Sequence, residues 1–430
     1  MKKSALPILF LTIFTLLIFT GCDPEPDGDI LPIVFVHGMA GSGDQFQAQA
    51  LRFASNGYPE DYFAALDHNS LSDSNRIEKL DALIDQVLDD TGADQVELVG
   101  HSMGTSISFT YLSTARQAAK VAHYVNVDGM SGDELPGGVP TLNLMASMGT
   151  GDITGATNIK LEGHTHVQAC SSPESFEHMY EFFTGKEPST TDILPSSSST
   201  IELKGKLVEF ITNAIPDDLT LSIYEVDPDT GQRLGTTPVY SKPLASDGAF
   251  SLSNANQGSS YEFEATIAGE DNVGHWYYEP FVRTDTLLRL KFSEPGSMLF
   301  NLMDTSDDSV AIVIVRNREM IGVNSGGTGV DSITINGTEI CDGILPASGP
   351  IGLIVFDEDA DGVSDLSGVS DAYSAIPFVN GMDLVIPASS AGDGVVNITI
   401  EDRYSGEIQT INLPNRPSTI HKSFAQFIPR

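Results

Sequence analysis

The chain has 430 residues, 40% of them hydrophobic, which is enough for several domains with cores of their own. Its 22 basic residues stand against 59 acidic ones, a formal charge of −37. Such a surface repels phosphate backbones and argues against nucleic-acid binding, while saying nothing about the fold.

In chain order the first feature is an address. Lys2 and Lys3 precede an apolar run over residues 6–19, followed by Thr20, Gly21 and Cys22 and then the polar stretch 23–28. The run is short for a full membrane span and has the shape of an export signal. Phe19-Thr20-Gly21-Cys22 resembles a bacterial lipobox, with phenylalanine where leucine is usual, which implies lipidation of Cys22. The expectation is a signal peptide over 1–21, a tether over 22–30, and a lipoprotein anchored to a membrane and facing the periplasm or the cell exterior. Cys170 and Cys341 are the other thiols, and they read as two unrelated buried side chains.

Residues 31–186 alternate strand and helix signals, the pattern of a parallel α/β sheet. Strands are expected over 31–36, 62–66, 96–99, 121–127, 141–145 and 158–161. Helical spacing marks 46–54, 77–88 and 176–183, with Gly57, Gly92 and Gly185 as stops. Between the strand at 96–99 and the following apolar-periodic segment stands Gly100-His101-Ser102-Met103-Gly104. Strand, G-x-S-x-G, then helix describes a nucleophile elbow, in which a sharp turn lifts the Ser102 hydroxyl above an α/β-hydrolase sheet.

The remaining chemistry falls at strand ends, where loops converge on a ligand. His37-Gly38-Met39-Ala40-Gly41 follows the first strand, so the Met39 and Met103 N–H groups form the expected oxyanion-hole pair, with His37 and Met130 beside the substrate. A serine needs a base, and the base needs an acid. His123 lies in a strand and His178 in a helix, whereas His164 and His166 share the loop after the last sheet strand. Sequence order does not separate those two. The acid is either Asp128 or Asp152, with Asp133 a weaker third.

Several of these segments resemble a group of archaeal and bacterial lipases that carry a carboxy-terminal β-domain. The likeness runs through residues 32–46, 52–59, 92–105 and 120–123, then Val127-Asp128-Gly129, Thr165-His166-Val167-Gln168, Ser172-Pro173-Glu174 and 190–193. It is densest over 31–195 and persists more weakly to about Arg283. The resemblance implies Ser102, Asp128 and His166 as the triad, in preference to Asp152 and His164. It also implies a lid, here reduced to about residues 67–75, so that the acyl site would be more open.

Beyond Gly185 the composition changes. Residues 187–200 include Pro188, Pro195 and four successive serines, a linker signature. Short alternating runs then indicate sandwich-like all-β modules over 201–300 and 301–430. His275-Trp276-Tyr277-Tyr278 reads either as an exposed aromatic cluster for a lipid or polymer surface or as part of a sandwich core. Asp357, Asp359, Asp361 and Asp365 follow the start of a calcium loop, with Gly362 at its turn and Gly368 in place of the closing glutamate of an EF-hand. A structural calcium and an acidic turn both fit this segment. No cofactor is expected for catalysis.

The expected function is a lipase or carboxylesterase acting on ester or lipid substrates through an acyl-enzyme. A depolymerase or thioesterase acting on another acyl ester, and a non-catalytic surface binding lipoprotein, are the alternatives.

Overall fold

The computed structural model describes residues 30–146, 151–293, 298–324 and 329–430. The leader, the tether up to residue 29 and the expected lipidation at Cys22 lie outside them. The first domain is built on six strands, β1 (Ile33–Val36), β2 (Phe63–Leu66), β3 (Val96–His101), β4 (Val121–Val127), β5 (Thr141–Met145) and β6 (Thr157–Lys160). Their order is β2-β1-β3-β4-β5-β6, and every pairing is parallel. The helices are α1 (Gln47–Ser55), α2 (Arg76–Thr91), α3 (Met103–Leu112), α4 (Ala115–Ala118) and α5 (Pro173–Thr184).

Successive residues of β1 serve opposite faces. Ile33 and Phe35 pack with Phe53 of α1 and Phe176 of α5, while Val34 and Val36 pack with Leu80 and Ile84 of α2 and Ile107 of α3. A strand covered on both faces needs an apolar residue at every position, which is why this segment reads as an unbroken run. Each such side chain taken fully from water contributes roughly 1.5–3 kcal/mol. α2 and α5 stop at Gly92 and Gly185, whose φ of 71° and 70° is the left-handed cap that glycine adopts without strain. The chain leaves β1 for β2 on one side and returns to β3 on the other, so the loops after β1 and β3 open on one crevice.

Residues 187–199, expected as a flexible linker, are held against this domain. Arg52 Nε donates to the Thr191 carbonyl (2.8 Å), and Asn56 Nδ2 donates to that of Thr190 (2.8 Å). The polar composition reflects a segment that serves as acceptor for the helix it crosses.

The rest of the described chain is β. It contains β7 (Thr200–Glu209), β8 (Leu219–Val226), β9 (Tyr240–Pro243), β10 (Ala249–Asn256), β11 (Ser260–Ile267), β12 (Val273–Tyr278) and β13 (Asp285–Phe292). There follow β14 (Ile312–Arg316), β15 (Ser332–Ile335), β16 (Thr338–Glu339), β17 (Gly352–Phe356) and β18 (Asp365–Ser370). The last are β19 (Val379–Asp383), β20 (Val395–Glu401), β21 (Ile408–Pro414) and β22 (His421–Phe427).

These strands make three layers. A nine-stranded sheet, β18-β19-β17-β14-β22-β12-β11-β8-β9, lies between the three-stranded sheet β10-β7-β13 and the four-stranded sheet β16-β15-β20-β21. Val313 and Val315 of β14 face the first outer sheet, Ile312 and Ile314 the second. The two segments expected as separate modules therefore share one sheet, joined where β22 pairs in parallel with β12 and β14. This double covering puts the aromatic cluster in the core rather than on the surface: His275, Trp276, Tyr277 and Tyr278 are buried. Cys170 and Cys341 are buried and free.

Candidate active site

β3 ends at His101 and α3 begins at Met103, leaving Ser102 in the turn with φ 51° and ψ −117°. A non-glycine residue held there stores strain of about 1–3 kcal/mol, which the surrounding contacts must over-determine. They do so by close approach. A Cβ at Gly104 would lie 2.1 Å from the Val36 carbonyl oxygen, and one at Gly100 would lie 2.8 Å from Ser108 Oγ. The start of α3 thus presses on the end of β1, and Ser102 N–H donates to the Val127 carbonyl of β4 (3.0 Å). Met103 N–H belongs to the first helical turn, whose amides have no partner within the helix.

The loop after β1 is fixed on both sides of Met39. Gly38 N–H donates to Gln45 Oε1 (2.9 Å) and Ala40 N–H to Ser70 Oγ (3.0 Å). Gln45 Oε1 also lies 3.2 Å from His101 Nδ1, so one amide side chain joins the β1 loop to the elbow. The segment expected as a short lid is pinned. Asp67 pairs with Arg289 (2.9 Å), and the His68 ring stacks on His37 at 3.9 Å. The Ser70 N–H donates to the Ile211 carbonyl (3.1 Å).

Asp128 follows directly on β4 at φ 42° and is buried. Its Oδ2 accepts from His166 Nδ1 at 2.7 Å, and its Oδ1 accepts from the Ala146 N–H at 2.8 Å. The loop after β6 delivers His166, which is mostly enclosed. Asp152, in contrast, is exposed, and its carbonyl faces the Gly132 N–H. His164 packs its ring against Tyr404 at 5.4 Å, and its buried Nε2, 3.8 Å from Glu174, has no hydrogen-bond partner among the described residues. The pairing seen is therefore Asp128 with His166.

The other imidazoles nearby are held neutral. Burial pushes His37 down to about 3, with the neighbouring His68 adding to it. Burial, then the charge of His166, places His101 well below the usual histidine range. His37 is a packing residue: its Nε2 accepts from the His68 N–H (3.1 Å). That is a correction to its expected place beside the substrate. Met130 stands exposed with its N–H on Thr105 Oγ1 (2.8 Å).

A cavity of about 700 Å³ opens on Ser102 and His166. Met39, Ala146 and Leu161 line it from the first domain, and Glu319, Ile321, Ala347, Ser348 and Phe378 from the β part. His37 and Met130 are not among its lining residues. Sequence reasoning missed Gln45 and Glu319. Gln45 lies in the stretch after β1 without a chemistry of its own to mark it, and Glu319 reaches the site only through tertiary packing. The arrangement offers a hydroxyl on a strained turn and an imidazole oriented by a buried carboxylate, both opening on one cavity.

In the segment expected as a calcium loop or an acidic turn, three carboxylates accept backbone N–H groups of the turn itself. Asp357 Oδ1 accepts from the Gly362 N–H (3.1 Å), Asp361 Oδ1 from that of Val363 (2.8 Å) and Asp365 Oδ1 from that of Ser367 (2.9 Å). The Asp359 N–H is bound by Asp304 (2.9 Å). Among the described residues the group whose ligand atoms cluster within 4.8 Å is instead Glu262, Glu264 and His275. Two guanidinium groups already occupy it: Arg416 meets Glu262 Oε1 (2.6 Å), and Arg233 meets Glu262 Oε2 (2.5 Å) and also Glu264. This donor set fits a compensated charge network better than a cation.

Comparison with known proteins agrees with this architecture. Residues 32–148 match the model of the alpha/beta hydrolase fold, residues 199–295 that of a lipase C-terminal domain, and residues 299–428 a further C-terminal domain model. Among solved structures, the chain is similar to a bacterial membrane phospholipase A at 14% identity, over 37% of this chain and 81% of that one, with a TM-score of 0.29. A carboxylesterase from Bacillus subtilis is similar at 13% identity, over 38% and 86%, with a TM-score of 0.29. A naproxen esterase from the same organism is similar at 15% identity, over 37% and 85%, with a TM-score of 0.27.

Proposed function

We propose that this α/β-hydrolase with its carboxy-terminal β-domain is a serine hydrolase of carboxylic esters, of the lipase and esterase class. The observation that carries the reading is the 2.7 Å contact of His166 Nδ1 with buried Asp128, beside a cavity that His166 shares with Ser102 on its elbow.

Ser102 Oγ attacks the ester carbonyl while His166 Nε2 takes its proton. Asp128 keeps the Nδ1 proton in place and stabilises the imidazolium that forms. The Met39 and Met103 amides donate to the tetrahedral oxyanion, a contribution of about 3–4 kcal/mol where one such donor has been removed elsewhere. Collapse breaks the bond to the leaving oxygen, and His166 returns its proton to the departing alcohol. Water then attacks the acyl-enzyme with His166 again as base, releasing the acid and Ser102. The apolar walls at Met39, Leu161, Ile321 and Phe378 suit an acyl chain. Lipidation at Cys22 would hold the enzyme on a membrane outside the cytoplasm, facing ester or lipid substrates.

Ser102→Ala should remove turnover of p-nitrophenyl esters and leave the thermal transition unchanged. Retained turnover in a folded variant would end the serine-hydrolase reading.

A further inference from the structure

Glu319 is buried within the β part of the molecule, yet its carboxylate is spent on the loop that carries His166. Its Oε1 accepts from the Val167 N–H (2.6 Å), and its Oε2 accepts from Thr165 Oγ1 (2.5 Å) and from the Gln168 N–H (3.0 Å). The residues immediately before and after His166 are thus both held by one side chain. Among the described residues no lysine or arginine pairs with this carboxylate, so the three loop donors solvate a buried charge. Taking a carboxylate out of water is costly unless such charge-assisted bonds replace the lost hydration.

The support for Glu319 is itself rigid. Arg403 donates to the Glu319 carbonyl (2.8 Å), to Asp331 (2.8 Å) and to Gln168 Oε1 (3.0 Å), which also lies against Thr165 N–H and Oγ1. Two residues earlier, Asn317 Nδ2 donates to the Asp44 carbonyl (2.9 Å) just beyond the β1 loop. One short segment of the β part therefore reaches both the loop of the base and the turn that supports the oxyanion amides.

We propose that Glu319 is a positioning residue for the reaction: it holds the 165–168 loop so that His166 stays on Asp128 while its other nitrogen faces Ser102. The inference rests on His166 being the catalytic base. It gives the β-domain a part in the chemistry through one carboxylate, in addition to its wall of the cavity. A base displaced by about 1 Å can cost on the order of a hundredfold in rate.

The test uses the full chain. In Glu319→Gln one acceptor becomes an amino group that opposes a loop N–H. The expected result is a kcat at least tenfold lower with KM within threefold, in a protein whose melting transition is kept. Proton NMR supplies a readout independent of substrate. The downfield resonance of the His166 Nδ1 proton, assigned by its loss in His166→Ala, should broaden away or move upfield in Glu319→Gln. Where Glu319→Gln does not fold, Thr165→Val removes one donor alone and should lower kcat threefold or more and shift the same resonance. Unchanged kcat together with an unmoved resonance overturns the proposal. If the wild-type protein turns over no ester, the hydrolase reading fails, and the resonance alone decides the role of Glu319 in holding the His166–Asp128 pair.

Discussion

Asp128 and Asp152 both follow strands that run toward the crevice, and both precede the histidine loop in the sequence. What separates them is burial and partner. Asp128 is 1% exposed and bound to His166, whereas Asp152 is turned to solvent. Asp128→Asn should therefore lower kcat by about 10³–10⁴, because the amide offers the imidazole the wrong partner and tautomer. Asp152→Asn should stay near wild type in the same ester assay, and the reverse order would reassign the acid. Ser102 was legible because a strand, a glycine-flanked serine and a helix follow one another locally. His166 and His164 stand two residues apart in one loop, so the residues themselves left them open. In the structure His166 pairs with Asp128, while the His164 ring packs on Tyr404, a contact from more than two hundred residues away. His37 misled for a related reason. Its position after β1 suggested the substrate, but His68 stacks over it and burial keeps it neutral.

At the scale of elements, strands covered on both faces and helices with one apolar stripe announce themselves by period. β4 and β5 run over the residues the pattern indicates, and α2 and α5 stop at the glycines expected to stop them. The β part was less legible. Its class could be read from turn residues and alternation, but its sheet order could not. β22, near the end of the chain, inserts between β12 and β14 in parallel with both, and no local signal encodes a pairing across more than a hundred residues. That insertion turns two modules into one sheet and buries Trp276, stacked on Phe424 at 4.7 Å. The acidic loop at 357–365 has calcium-like spacing, and three of its carboxylates, those of Asp357, Asp361 and Asp365, accept N–H groups of their own turn. Spacing alone does not make ligand atoms converge.

Across the whole molecule, several of the scarce cations are buried in ion pairs. Arg289 meets Asp67 and Lys291 meets Asp44 (both 2.9 Å) where the β part docks on the first domain; Arg318 meets Asp402 (2.7 Å) and Arg403 meets Asp331 (2.8 Å) within it. Removing residues 201–430 would strip Asp44 and Asp67 of these cationic partners. One buried carboxylate at this junction is poorly compensated. Burial raises Asp285 to about 6, despite the donated bond from Gln47 (2.5 Å). Between about 3.8 and 6 the folded state binds the extra proton, so the stability this group contributes is present at low pH and lost as pH rises through 6. A shift of that size corresponds to about 3 kcal/mol. Asp285→Asn should accordingly raise the melting temperature relative to wild type at pH 8, with the advantage shrinking toward pH 4. A difference independent of pH would remove Asp285 as its cause.

The claim on which the enzymatic account turns is that His166 activates Ser102. Treatment of the full chain with a fluorophosphonate, followed by peptide mass spectrometry, addresses it without any assumption about the natural ester. The account predicts a single phosphonyl adduct on the peptide containing Ser102, formed at least a hundredfold more slowly in His166→Ala. An unmodified Ser102, or equal labelling rates in the two proteins, would contradict it.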